Sequence, residues 1–194
     1  TGYLHLGHAY SALFAQAART GEARTGAKKA AASGWMLLRI EDIDTSRCKP
    51  EFDAAIFEDL AWLGLEWEQP VRRQSEHLAD YRGALDSLRA DGLIYPCFCT
   101  RGDIRAEIGR SAAAPHGPDG PVYPGTCRAL PADTKAERIA AGEAHALRLD
   151  MARATNAVAG LTWHEHGKGD IVSDAAPFGN VVLARKDIPT SYHL

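Results

Sequence analysis

Hydrophobic residues return at helical spacing from His8 to about Arg19, placing Leu13, Phe14 and Ala17 on one face of a predicted, alanine-rich helix. The pattern then breaks. Ala-Arg-Thr-Gly stands at 18–21 and again at 23–26, followed by Lys28-Lys29-Ala30-Ala31-Ala32, so residues 20–34 read as an exposed, mobile insertion, with a basic RNA contact as the lesser alternative. Trp35 to Ile40 is a continuous apolar run of the kind a buried parallel strand needs, and it ends in Glu41-Asp42-Ile43-Asp44. Pro50 opens a further predicted helix with Phe52, Ile56 and Leu60 on its apolar face, and Gly64 ends it. Ser75 is placed to cap another, with Leu78, Tyr81, Leu85 and Leu88 inward and Gly92 as its stop. From Tyr95 to Arg128 the chain turns to Cys, Gly and Pro with little periodicity, which predicts a small insertion needing its own staple. Beyond it, Thr134 to Glu137 matches a capping box and Ala146 to Leu149 a strand. Helices alternating with short apolar strands predict the α/β class, and ligands of open α/β sheets bind at the carboxyl ends of strands, where Glu41 to Asp44 fall.

Composition bounds this picture. With 194 residues and 45% hydrophobic content the chain can bury a core, and a formal net charge of −3 does not by itself mark a nucleic-acid binder. No apolar run approaches membrane-spanning length and no secretory leader is visible, so a cytoplasmic protein without a membrane partner is expected. Of four cysteines, Cys97, Cys99 and Cys127 cluster with metal-site spacing and favour a reducing compartment, whereas Cys48 stands apart as an ordinary thiol. The chain begins at Thr1 with a motif already under way and stops after Ser191-Tyr192-His193-Leu194 without a terminal signal. It is expected to be a fragment of a longer enzyme.

Two places carry chemistry. Thr1-Gly2-Tyr3-Leu4-His5-Leu6-Gly7-His8 sets two imidazoles around a glycine at a helix start. Unpaired N–H groups and the positive end of the dipole attract phosphate there, Gly7 lets a nucleotide approach the backbone, and His5 and His8 can donate to phosphate oxygens. The second is Cys97-Phe98-Cys99, joined by Cys127 from beyond a Gly/Pro-rich loop. Soft thiolates select zinc, and three leave a fourth tetrahedral position for Tyr123, His116 or a water. General ligand statistics favour His116. Three reduced cysteines at a fold edge are the metal-free alternative.

Together, the His5-Leu6-Gly7-His8 segment, Leu38-Arg39-Ile40-Glu41-Asp42-Ile43-Asp44 and Cys97-Phe98-Cys99-Thr100-Arg101 resemble the catalytic domain of glutamyl-tRNA synthetases, a class I aminoacyl-tRNA synthetase family. The resemblance runs along the whole chain apart from the insertion. It implies a Rossmann-like (HUP-type) nucleotide-binding fold, incomplete at both ends, with an inserted zinc-knuckle α+β subdomain. Residues 1–94 would be the first half of that fold, 95–180 a zinc-binding and acceptor-like insertion, and 181–194 the return to the catalytic fold. Within the family, Cys-x-Cys followed by Tyr-x-x-x-Cys is similar to the branch that lacks an anticodon-binding domain. Here that is Cys97, Cys99, Tyr123 and Cys127, with Ala129 where ordinary members close the knuckle with histidine. The resemblance therefore moves the fourth zinc ligand from His116 to Tyr123.

That branch implies activation of glutamate by ATP, with Mg2+, to glutamyl-adenylate. The acyl group then passes to queuosine in the anticodon of tRNA(Asp). The resemblance assigns His5, Gly7 and His8 to ATP, Glu41 to the substrate ammonium and Tyr192 to the amino-acid pocket; a monomer is expected, although the sequence does not give the oligomeric state. The arginine expected for a substrate carboxylate lies upstream of residue 1 and the Lys-Met-Ser-Lys-Ser-like loop beyond Leu194, so residues 1–194 alone are expected to have little activity. Two other readings stay open. One is an ordinary glutamyl-tRNA synthetase charging tRNA(Glu), and the other a non-catalytic, zinc-stabilised nucleotide- or RNA-binding module.

Overall fold

The computed structural model describes residues 2–20, 34–110, 116–118, 120–165, 167–191 and 194. The chain clusters into two compact units, Thr1–His77 and Leu78–Leu194. Among the described residues no helix is long and apolar enough to cross a membrane.

The first unit contains α1 (Leu6–Thr20), β1 (Arg39–Ile40), α2 (Pro50–Trp62), β2 (Arg72–Arg73) and a 3₁₀ turn at Gln74–His77. Strands β1 and β2 pair in parallel, Arg39 opposite Arg72 and Ile40 opposite Arg73. Parallel neighbours need a crossover, and α2 supplies it. It starts at Pro50, whose fixed φ suits a first helical position and which has no N–H to satisfy, while Glu51 and Asp53 in the first turn suit the dipole. Gly64, at φ 74°, ends it in the left-handed region.

The apolar run at 35–40 is less buried than its composition predicts. Only Arg39 and Ile40 form regular ladder, prolonged upstream by the Arg72 N–H on the Leu38 carbonyl (3.3 Å) and the Glu68 N–H on that of Met36 (2.9 Å). Pleating turns Ile40 inward to 6% exposure, whereas Trp35 and Leu37 stand 78% and 77% exposed on the other side. A continuous apolar run thus hides a period of two. Helix α1 begins at Leu6, earlier than the periodicity predicts, and its face at Leu13 and Phe14 is exposed among the described residues.

The second unit runs α3 (Leu78–Ala90), β3 (Ile94–Cys97), α4 (Arg101–Arg110), β4 (His116–Gly117), β5 (Gly120–Pro121), α5 (Ala132–Ala140), β6 (Ala146–Leu149), α6 (Met151–Ala157), β7 (Thr162–Glu165), β8 (Gly169–Val172) and β9 (Val182–Ala184). Strands β3, β6 and β9 form an antiparallel sheet in that order, with Ile94 opposite Leu149 and Cys97 opposite Ala146. β4 with β5 and β7 with β8 make two hairpins. The face of α3 that the sequence predicts is inward: Leu85 is buried and Leu88 packs with Ile94, Leu183 and Ala184.

Three local expectations are corrected. Ser75 does not cap α3; it lies inside the 3₁₀ turn that precedes the helix. Thr134 does not cap α5, which starts two residues earlier behind Pro131, so Thr134 is already helical. The segment after Cys99, expected to lack periodic structure, forms α4. Its cap is Thr100, whose hydroxyl accepts from the Asp103 N–H (3.1 Å) while the Asp103 carboxylate accepts from the Thr100 N–H (2.7 Å).

Candidate functional site

At the start of α1 the two imidazoles fold back onto the chain. His5 Nδ1 accepts from the Gly7 N–H (3.1 Å) and His8 Nδ1 from the His5 N–H (3.2 Å), so the rings cap the helix reciprocally with their centroids 3.8 Å apart. An imidazole that accepts at Nδ1 while neutral carries its proton at Nε2, so each ring keeps one N–H donor that the cap does not use. Gly7 leaves room for this fold-back: a Cβ there would lie 3.0 Å from His5 Cε1, tight enough that the ring would have to shift by a few tenths of an ångström. Just upstream, Tyr3 meets Phe52 of α2 edge to face at 5.0 Å between ring centroids, which ties the motif to α2.

Phe52 also lines a cavity of about 450 Å³ at the carboxyl end of β1. Its walls include Glu41, Asp42, Cys48, Asp53 and Arg73. The Glu41 carboxylate is half exposed and accepts from Arg39 Nη2 at 2.8 Å. Asp42, one residue on, accepts from the Ser75 N–H (2.9 Å) and the Ser75 hydroxyl (2.6 Å). Arg73 forms a two-pronged bond with Asp53 (2.5 and 2.9 Å), which joins β2 to the first turn of α2 and raises the pKa of the guanidinium. The acids at 41–44, read from the sequence as one group, thus divide: Glu41 pairs with Arg39 and Asp42 with Ser75. Strand alternation was the available signal for that division.

In the second unit Cys97, Cys99 and Cys127 bring their sulfurs within 4.8 Å of one another, and Cys99 Sγ lies 3.4 Å from Cys127 Sγ. The Tyr123 hydroxyl is 3.6 Å from Cys99 Sγ and accepts from the Cys127 N–H at 2.8 Å. A zinc ion bonded to sulfurs at ~2.3 Å in a tetrahedron sets them about 3.8 Å apart, so these donors fit such an ion in softness and in spacing. Burial raises the Cys99 thiol to about 11. It also opposes ionisation of Cys127, yet hydrogen bonds from the Tyr123 hydroxyl and the Phe98 N–H outweigh it and bring that thiol down to about 7. Burial, and next a bond to Cys97, push the Tyr123 phenol upward. The cluster is framed by cations that the sequence did not single out. Arg148 stacks on the Tyr123 ring (4.1 Å), Arg138 on Phe98 (4.1 Å), and Lys186 Nζ donates to the Phe98 carbonyl (2.7 Å).

The family described as tRNA synthetases class I (E and Q), catalytic domain, matches residues 1–194. The chain belongs to that family. Among similar class I synthetases, the glutamyl-Q tRNA(Asp) synthetase of Rhodobacter capsulatus is 42% identical over 200 residues, covering 100% of this chain and 67% of the relative. Glutamate–tRNA ligase 2 of Acidithiobacillus ferrooxidans is 37% identical over 198 residues, covering 96% of this chain and 37% of the relative. The crystal structure of the glutamate-tRNA synthetase from Elizabethkingia anophelis superposes with a TM-score of 0.70 at 21% identity, over 100% of this chain and 39% of that one. That likeness shows the Rossmann-like class I synthetase fold, with which the parallel β1–α2–β2 unit agrees. The chain spans between about a third and two thirds of the length of these relatives.

Within the class I synthetase fold, the structure places His5, Gly7, His8 and Glu41 in the first unit, and Cys97, Cys99, Tyr123 and Cys127 together in the second. Tyr192, the expected pocket residue, residues 21–33 of the insertion expected at 20–34 and the side chain of His116 lie outside the described residues.

Proposed function

We propose that the protein is a glutamate-activating ligase of the class I synthetase type that passes the glutamyl group to queuosine in the anticodon of tRNA(Asp). In the first step a carboxylate oxygen of glutamate attacks the α-phosphorus of ATP and pyrophosphate leaves. In the second, a queuosine hydroxyl attacks the acyl carbon of glutamyl-adenylate, AMP leaves and the hydroxyl proton is released. The first step asks for positioning and charge stabilisation rather than a protein nucleophile. His5 and His8 hold their Nε2–H donors for the ATP phosphates, and Gly7 admits the nucleotide beside the helix start. Glu41, at the carboxyl end of β1, receives the substrate ammonium, and Tyr192 lines the amino-acid pocket. ATP enters with Mg2+, which neutralises phosphate charge.

Cys97, Cys99, Cys127 and Tyr123 would hold zinc as a structural staple for the insertion at 95–180, fixing the loop between Cys99 and Cys127 without joining the chemistry. The protein works as a monomer in the cytoplasm.

The observation that carries the choice of branch is the cluster itself, three thiols closed by a tyrosine hydroxyl, with Ala129 rather than histidine two residues beyond Cys127. The 42% identity with a glutamyl-Q tRNA(Asp) synthetase supports the same branch. The test supplies the full-length protein with ATP, radiolabelled glutamate and either tRNA(Glu) or tRNA(Asp) with and without queuosine. Label is expected only on queuosine-bearing tRNA(Asp). Charging of tRNA(Glu) at its acceptor end would assign the ordinary synthetase activity instead. No adenylate formation at all would favour the non-catalytic module.

A further inference from the structure

The backbone ladder between β1 and β2 ends at Ile40 and Arg73, one residue short of Glu41. Beyond that point a side chain continues the pairing. The Ser75 N–H donates to Asp42 Oδ1 at 2.9 Å, and the Ser75 hydroxyl donates to Oδ2 at 2.6 Å. Both oxygens of one half-buried carboxylate are therefore committed to a single residue 33 positions away. Glu41 sits between two anchors, the Ile40 register before it and this clasp after it. The walls on either side of the same cavity are fixed by the Arg73–Asp53 pair.

We infer that Asp42 is a positioning residue which, through Ser75, fixes the backbone at Glu41 so that its carboxylate meets the substrate ammonium. This rests on the reading of Glu41 proposed above. Without the clasp, two bonds that cross from one strand end to the other are lost, and the peptide carrying Glu41 keeps its strand side and the long contact of the Cys48 thiol with its carbonyl (3.9 Å). A displacement of about 1 Å at a charged contact can lower productive binding by up to ~100-fold, so the effect belongs on glutamate and not on ATP.

The experiment measures ATP–pyrophosphate exchange in the full-length enzyme with Asp42→Asn, Ser75→Ala, Ser75→Thr and, in parallel, Glu41→Gln. Asp42→Asn puts an amide N–H where an acceptor is needed and is expected to raise the KM for glutamate about tenfold, with the KM for ATP within about twofold. Ser75→Ala keeps the backbone bond and should give a smaller rise, and Ser75→Thr should restore the normal value. Glutarate, which resembles the substrate without its ammonium, supplies the readout that a general structural defect would not spare. Its inhibition constant should be unchanged in Asp42→Asn while glutamate binding weakens. Equal weakening of glutamate, glutarate and ATP would overturn the inference, as would an unchanged glutamate KM. If Glu41→Gln raises that KM and the clasp variants do not, the clasp alone is refuted. If Glu41→Gln has no effect, the ammonium assignment falls and the clasp with it. Should Asp42→Asn fail to fold, the two Ser75 variants carry the same comparison.

Discussion

The imidazoles of His5 and His8 each take a backbone N–H at Nδ1, and this decides what they offer a ligand. A ring fixed in that tautomer presents Nε2–H without having to reorganise as phosphate charge develops. Replacing either histidine with alanine in the full-length enzyme should lower the exchange rate constant by about 100-fold, a typical cost for one preorganised donor. Gly7→Ala separates geometry from stability. Alanine is the better helix former by up to about 1 kcal/mol, which offsets the disturbed cap, so the melting temperature should change little. Its Cβ, 3.0 Å from His5 Cε1, must nonetheless displace that ring, and exchange should fall. Thermal melts alongside exchange assays would show the split; a fully active Gly7→Ala enzyme would mean that the fold-back is not the working geometry. Glu41→Ala belongs at the same scale. It should raise the glutamate KM at least tenfold while leaving that for ATP near its normal value, the signature of losing a charged contact to one substrate only.

At the level of elements, two similar four-residue patterns had opposite outcomes. Thr134-x-x-Glu137 matches a capping box by type, yet α5 starts before it because the Pro131 carbonyl already accepts from the Lys135 N–H at 3.1 Å. Thr100-x-x-Asp103, in a stretch whose residues suggest only loop, is the box that forms. A motif of two polar residues does not say which of several helix starts the chain adopts; the neighbouring proline and the buried Cys97-Phe98 segment do. Asp103 also gives a dependence on acidity. The Thr100 N–H, and then the Thr100 hydroxyl, hold its carboxyl below the usual carboxylate range. A folded-state pKa depressed in this way stabilises the cap above the ordinary value of about 4, and that contribution disappears as pH falls through the lowered value. The protection of the Asp103 and Ile104 amides, measured relative to their intrinsic exchange rates, should therefore fall on the acid side of about pH 4. In Asp103→Asn it should already be low at neutral pH and lose its dependence on this carboxyl. Equal protection in the two proteins would show that the side chain does not hold the helix start.

For the molecule as a whole, the parts most readable from sequence are those decided locally. The helix faces of α2 and α3, the strand at 146–149 and the grouping of the three thiols follow from spacing along the chain. The sheet order β3-β6-β9, the clasp from Asp42 to Ser75 and the stacking of Arg148 on Tyr123 depend on partners tens of residues away, for which periodicity carries no signal. If zinc is the staple of the second unit, the protein should contain one zinc per chain by elemental analysis, and a strong chelator should lower its melting temperature. Apparent binding energies of about 10–16 kcal/mol in small zinc peptides make that loss large compared with typical domain stability. Cys127→Ser should abolish stoichiometric zinc; retention of the metal would exclude Cys127 from the ligand set. The Lys186 bond to the Phe98 carbonyl has a consequence for the nascent chain. A ribosome adding roughly 5–20 residues per second takes on the order of ten seconds to travel from one partner to the other. Through that interval the Phe98 carbonyl, between Cys97 and Cys99, has emerged without Lys186 to bond it, whereas Tyr123 and Cys127 arrive early. A captured ion would thus close the loop while synthesis continues, and the thiols would face oxidants for only the first part of the wait.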